Sequence, residues 1–196
     1  TLIDSEPLHL KALQAVCDQH GVDISDLPDE HFIGVHLRDV WMALRDRFPP
    51  GLPMADWIEA LSRAYVEHAS QLTEIPDAAS VVKWLAAQGI RQAAVSNSNR
   101  AVVDANLAAL GIARLMEFSL SLDDVSAGKP SPEPYLRALA RLGLSADTTI
   151  AVEDSRTGVQ SARSAGIPVI ALGDAALGGD WHITGLRNIP DLIAAG

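Results

Sequence analysis

Apolar and polar positions follow two different rhythms along the chain, and the change comes near Ile75-Pro76. Before it, apolar residues return every three or four positions, the spacing of an amphipathic helix. Ser5 and Pro7 open a helix that carries Leu8, Leu10, Leu13 and Val16 and ends at Gly21. A second helix is predicted from about Asp29 through Val40, Trp41 and Leu44 to the Pro49-Pro50-Gly51 break. A third starts at Met54 or Asp56 and carries Trp57, Leu61, Ala64, Tyr65 and His68. Three such helices with no strand between them predict a small bundle.

After Ile75-Pro76 short apolar runs alternate with helical stretches. Asp77 is placed to cap a helix bearing Val81, Val82, Trp84 and Leu85, which Gly89 ends. Gln92 to Ser96 reads as a strand, Arg100 to Leu110 as a helix, Glu117 to Leu122 as a strand and Glu133 to Leu142 as a helix. Thr149 to Val152 are β-branched or apolar, as in a strand buried on both faces. Ser155 can cap the next helix, Gly166 and Pro168 stop it, and a strand ending at Leu172 follows. Trp181 to Thr184 are expected as a short last strand and Asn188 to Ala195, with Pro190, as the last helix. Strands and helices in alternation imply an α/β fold built on a parallel sheet.

Composition narrows the function classes. The 196 residues carry a formal charge of −10, which argues against nucleic acid as a partner, because phosphate backbones call for basic patches. A small phosphorylated substrate needs only local positive charge and is compatible with that balance. No run of about eighteen apolar residues codes a membrane span. The single cysteine, Cys17, falls among the apolar positions of the first helix, reads as packing rather than nucleophile, and fits a cytoplasmic protein. We expect a monomer or weak dimer.

Three polar clusters fall where strands should end. Glu153 and Asp154 follow the strand before Ser155. Adjacent carboxylates at the C-terminal edge of a parallel strand, where open α/β sheets bind ligands, are costly without a cation between them; the alternative is a solvated, helix-capping acidic turn. In Ser96-Asn97-Ser98-Asn99, Ser96 offers a hydroxyl at the strand end, and Ser98 or Asn99 caps a helix whose N–H groups favour an anion. Ordinary turn capping would need the same residues. In Gly128-Lys129-Pro130-Ser131-Pro132, Pro130 forces Lys129 into an extended conformation and holds its ammonium in one direction. A surface lysine in a proline-rich connector would look alike. Hydroxyl, lysine and acid pair nevertheless come in order, each at a strand end of one sheet.

These residues carry a family likeness. Ser96-Asn97-Ser98, Lys129-Pro130 and Glu153-Asp154-Ser155 resemble the second, third and fourth motifs of the haloacid dehalogenase-like hydrolases, in the branch with a helical cap that includes phosphoglycolate-phosphatase-like and β-phosphoglucomutase-like enzymes. Thr1-Leu-Ile-Asp-Ser-Glu-Pro-Leu-His9 is similar to the segment that follows that family's Asp-x-Asp-Gly. The resemblance implies a Rossmann-like parallel-sheet core (residues 1–4 and 73–196) with an inserted all-helical cap domain (5–72). It implies a Mg²⁺-dependent phosphatase acting through an aspartyl-phosphate, in which a first aspartate attacks phosphorus and a second handles protons. Ser96 and the Asn97 N–H would bind phosphate, Lys129 would balance its charge, and Glu153 and Asp154 would hold Mg²⁺ directly or through water.

The two aspartates of the first motif are absent from these residues, and with them the central strand that carries them. A chain lacking that strand would leave several large side chains uncovered, each worth about 1.5–3 kcal/mol when buried, against a total stability of about 5–15 kcal/mol. The expectation is therefore that the molecule continues upstream and that the nucleophile lies there. In the cap, Phe32 to Arg38 resembles the loop that faces the active site, so His36 and Arg38 are candidate substrate contacts, and His9 is a third; the alternatives are a helix-start loop with Arg38 on the solvent face and a packed or solvent-facing His9. The positions where a β-phosphoglucomutase-like cap is expected to carry arginine and lysine hold Leu37 and Glu67, which argues for hydrolysis over a sugar-phosphate mutase. Dehalogenation runs without metal and is disfavoured by Glu153-Asp154. A non-catalytic phosphate or metabolite binder is the alternative from another class.

Overall fold

The computed structural model describes residues 1–32, 35 and 37–194. Two compact units divide the chain: Asp4–Thr73, and Thr1–Ile3 together with Glu74–Gly196. The chain passes between them at two short strands that pair with each other, β1 (Ile3–Asp4) and β2 (Thr73–Glu74).

The first unit holds α1 (Glu6–Gln19), α2 (Leu37–Leu44) and α3 (Met54–Glu67). Its buried faces carry Leu13, Val16 and Cys17 on α1, Trp41 and Leu44 on α2, and Trp57, Leu61 and Tyr65 on α3. The rings of Trp41, Phe48 and Trp57 gather with centroids 5.3, 5.7 and 6.2 Å apart, within the range of favourable aromatic pairing. Burial, with Asp18 beside it and Arg47 opposing, pushes the Cys17 thiol up to about 11. The single helix expected from Asp29 to the Pro49-Pro50 break is instead interrupted. A 3-10 turn spans Asp29–His31, the α-helix starts only at Leu37, and a second 3-10 turn spans Arg45–Arg47. Arg47 explains the tighter ending: its guanidinium donates to both carboxylate oxygens of Asp26 and to the Asp23 carbonyl, tying the turn back to the loop after α1.

The second unit runs α4 (Ala78–Ala87), β3 (Ala93–Val95), α5 (Arg100–Ala109), β4 (Phe118–Leu120), α6 (Glu133–Leu142), β5 (Ala151–Glu153), α7 (Arg156–Ser164), β6 (Val169–Leu172), β7 (Trp181–Ile183) and α8 (Ile189–Ala194). Strand β3 pairs in parallel with β4, and β5, β6 and β7 form a second parallel ladder. No ladder joins β3 to β5 among the described residues. All four residues of β6 are buried, as an apolar run covered on both faces requires. One cluster brings Tyr135 and Leu139 of α6 and Val159 and Ala162 of α7 onto Ala151 and Val169. On another, Ala78 and Val81 of α4 and Ile189 of α8 cover Ile170, Leu172 and Ile183.

Two local expectations are corrected. Asp77 does not cap α4 with its side chain: it takes a left-handed backbone (φ 71°), and its carbonyl accepts from the Ser80 hydroxyl and the Val81 N–H. Glu74 does the capping, accepting the Ala79 N–H at 2.7 Å. The strand expected over residues 149–152 is displaced toward the C-terminus, so that Glu153 is its last residue. Ala195, expected in the last helix, lies outside the described residues.

Candidate active site

The displacement of β5 decides what the acid pair does. Side chains alternate across a strand, so neighbours point opposite ways. Glu153 is turned inward with 4% of its side chain exposed, and Asp154, one residue on, keeps 43% exposed. The two acids therefore differ in exposure and in partners. Glu153 already has a cationic partner, the Lys129 ammonium, which donates to Oε1. That oxygen also accepts the Tyr135 hydroxyl. Asp154 Oδ1 accepts the Thr1 hydroxyl at 2.8 Å, and Oδ2 lies 2.9 Å from the Thr1 backbone nitrogen.

Lys129 is held from several sides. Its Nζ donates to the Val95 carbonyl at the end of β3 at 2.9 Å, as well as to Glu153 at the end of β5. It also stands 5.3 Å from the centroid of the Tyr135 ring, close enough for a cation–π contribution. Its backbone is gripped by Asn97, whose Oδ1 accepts the Lys129 N–H at 2.7 Å and whose Nδ2 donates to the Lys129 carbonyl at 2.9 Å. The Lys129–Pro130 peptide is cis. Gly128 makes the grip possible: a Cβ there would stand 2.7 Å from Asn97 Oδ1. Lys129 reaches this position because Glu133, at the start of α6, accepts the N–H groups of Ser126 and Ala127 and closes the loop, each at 2.9 Å.

Ser96 directly follows β3, its N–H bonded to the Leu120 carbonyl at 2.9 Å. Its hydroxyl oxygen accepts the Ser98 N–H at 3.1 Å, an interaction that uses a lone pair and not the hydroxyl proton. Of the two capping residues proposed for α5, Asn99 serves, accepting the Val102 N–H at 3.1 Å. At the acid cluster Ser155 caps α7 by accepting the Gly158 N–H at 3.1 Å.

The electrostatics follow from this arrangement. The Lys129 side chain is 10% exposed, so the pair with Glu153 is a buried one. Removing either partner leaves an uncompensated charge, a loss of roughly 3–5 kcal/mol. Burial, then the negative charge and hydrogen bond of Glu153, then Asp154, drive the Tyr135 hydroxyl well above its ordinary value, so it remains a donor.

The structure thus brings Ser96, Asn97, Lys129, Glu153 and Asp154 to the C-terminal ends of β3 and β5. Among the described residues no cluster of three or more His, Cys, Asp and Glu could hold a metal. The donors present are hard oxygens, of the kind Mg²⁺ takes: Asp154 on the open side, with Glu153 behind it. In the helical unit, Arg38 is exposed on the first turn of α2, and His9 lies against Tyr65 with ring centroids 4.5 Å apart, its pKa lowered by burial against the pull of Glu6. His36 lies outside the described residues. Two residues escaped the sequence reading. Tyr135, six positions beyond Lys129 on the buried face of α6, carried one signal: an aromatic with a polar tip that needs a partner when buried. Gly158 read as a small packing residue. A Cβ there would stand 1.9 Å from Glu153 Oε2, so its bareness makes room for the carboxylate.

The profile of a family described as haloacid dehalogenase-like hydrolase matches residues 1–172. Protein CbbY of Rhodobacter capsulatus is 36% identical over 152 residues, which are 75% of this chain and 67% of that protein. The plasmid phosphoglycolate phosphatase of Cupriavidus necator is 31% identical over 153 residues, 74% of this chain and 66% of that protein. The chain spans about two thirds of the length of these relatives. The crystal structure of CbbY from Rhodobacter sphaeroides in complex with phosphate has a TM-score of 0.83 to this one at 24% identity, over 96% of this chain and 92% of that one. At that identity the likeness speaks for the fold, an α/β Rossmann-like core with an inserted helical unit.

Proposed function

The chain belongs to the haloacid dehalogenase-like hydrolases, and from that premise we propose that it acts as a Mg²⁺-dependent phosphatase on a small phosphorylated metabolite. The observation that carries this reading is the buried Lys129–Glu153 pair, set between the ends of β3 and β5 beside Ser96 and Asp154. An ammonium has three protons to donate. Lys129 gives one to Val95 and one to Glu153, which aim it and leave the third for a phosphoryl oxygen. The Ser96 hydroxyl proton and the Asn97 backbone N–H would take further oxygens of the same group. Asn97 cannot lend its side chain, which is committed to the Lys129 backbone.

Asp154 would hold Mg²⁺, with Glu153 joining directly or through water. The ion, when bound, supplies Lewis acidity toward the phosphoryl oxygens. The nucleophile of the reading is an aspartate on residues that precede Thr1, which would form the aspartyl-phosphate and return it to water. Two features support a place for them. Strands β3 and β5 each have a ladder partner on one edge only among the described residues, and Lys129 touches the ends of both. A parallel strand lying between them would end beside Ser96, Lys129 and Asp154.

A panel of phosphorylated metabolites, read out as inorganic phosphate released by protein that includes its upstream residues, tests the reading. Turnover of at least one small phosphate ester is expected, with Lys129→Met reducing it by about a hundredfold or more, the scale set by removing one electrostatic contact to the developing charge. Wild-type turnover in Lys129→Met would end the proposal.

A further inference from the structure

We propose that Tyr135 is a positioning residue that sets how much of the Lys129 charge is available to a phosphoryl group. The inference rests on the phosphate-site reading above and adds a residue to it. Glu153 Oε1 accepts two donors, the Lys129 ammonium and the Tyr135 hydroxyl. The carboxylate is buried, so solvent contributes little to its charge balance, and the balance falls to those two donors. Each donor relieves the other: while the phenol shares Oε1, the ammonium is drawn less completely into the ion pair and keeps its charge for an anion in front of it. The Tyr135 ring meanwhile stands beside the same ammonium. On the far side, Glu153 Oε2 takes the space that a Cβ at position 158 would fill, so the bare Gly158 is what lets the carboxylate sit against the two donors. Tyr135 itself is 8% exposed, and among the described residues its hydroxyl hydrogen-bonds to Glu153, which makes it a component of the buried cluster and not a ligand of substrate.

Tyr135→Phe removes the hydroxyl and keeps the ring, and Glu153→Gln keeps the shape and removes the charge through which Tyr135 acts. The experiment is a calorimetric titration of inorganic phosphate, with Mg²⁺ present, into the unmodified protein, the two single variants and the double variant, each checked by circular dichroism to be folded. The expected result is that Tyr135→Phe binds phosphate about tenfold more weakly than the unmodified protein, the scale of one hydrogen bond to a charged group. In the Glu153→Gln background the same change should alter binding by less than about twofold, because coupled residues do not add. Equal phosphate affinity for Tyr135→Phe and the unmodified protein, or the same loss in both backgrounds, overturns the positioning role and leaves the phosphate site standing. Absence of phosphate binding by the unmodified protein overturns the site and this inference together.

Discussion

Gly158 ought to weaken α7, since a glycine in a helix interior is about 1 kcal/mol less favourable than alanine. At this position the usual sign reverses. An alanine Cβ would stand 1.9 Å from Glu153 Oε2, and that carboxylate is fixed by Lys129 and Tyr135 on its other oxygen. Overpacking of this kind costs about 1–3 kcal/mol, more than the helix propensity returns. Gly158→Ala is expected to lower the urea midpoint of unfolding; an unchanged or raised midpoint would mean that Glu153 is not held as described. Cys17 offers a second residue-scale check. Its thiol is 1% exposed and pushed up to about 11, so Ellman's reagent at pH 8 should leave it unreacted in the native protein and label it fully in denaturant. Rapid labelling of the folded chain would contradict the packing of α1.

At the scale of elements, the loop after β4 is tied down by a reciprocal cap. Asp124 accepts the N–H and hydroxyl of Ser121, at 2.7 and 2.6 Å, and receives Arg100 from α5. The Ser121 bonds, with Arg100 adding to them and burial opposing, hold the Asp124 carboxyl down from 3.8 to about 2. A carboxyl depressed in the folded state stabilises it above the unfolded pKa and ceases to do so as pH falls through the folded one. The stability due to Asp124 should therefore be complete above about pH 4 and disappear toward pH 2. Unfolding midpoints of Asp124→Asn and the unmodified chain should differ at pH 6 and converge near pH 2; a difference that persists at pH 2 would assign the effect to something other than this carboxyl. The same elements show which parts were readable in advance. Polar strand ends at Ser96 and Glu153 stand next to strong local signals, an apolar run before and a capping residue after, so their placement needed no tertiary information. The cap from Glu74 and the phenol of Tyr135 depend on contacts with residues 5 and 18 positions away, and periodicity carries no record of those.

Across the whole molecule, the change of hydrophobic rhythm near Ile75 marks the division of the chain into a helical unit, Asp4–Thr73, and an α/β unit, against the 5–72 boundary expected from the sequence. The charge of −10 is distributed over a chain whose candidate site nonetheless centres on a buried lysine, so a net charge that argues against polyanionic partners is compatible with a phosphate ester. Among the described residues no helix is long and apolar enough to cross a membrane. The different burial of the two acids could not be read from their adjacency in sequence: Glu153 is buried against Lys129, and Asp154 is the more exposed of the two. The most direct measurement is hydrolysis of a generic aryl phosphate by protein that includes its upstream residues, assayed with Mg²⁺, with excess chelator, and as Asp154→Asn. Phosphate release is expected with Mg²⁺, with a loss of about a hundredfold or more on chelation and in Asp154→Asn alike. Full activity in excess chelator, or in Asp154→Asn, would contradict the proposed function.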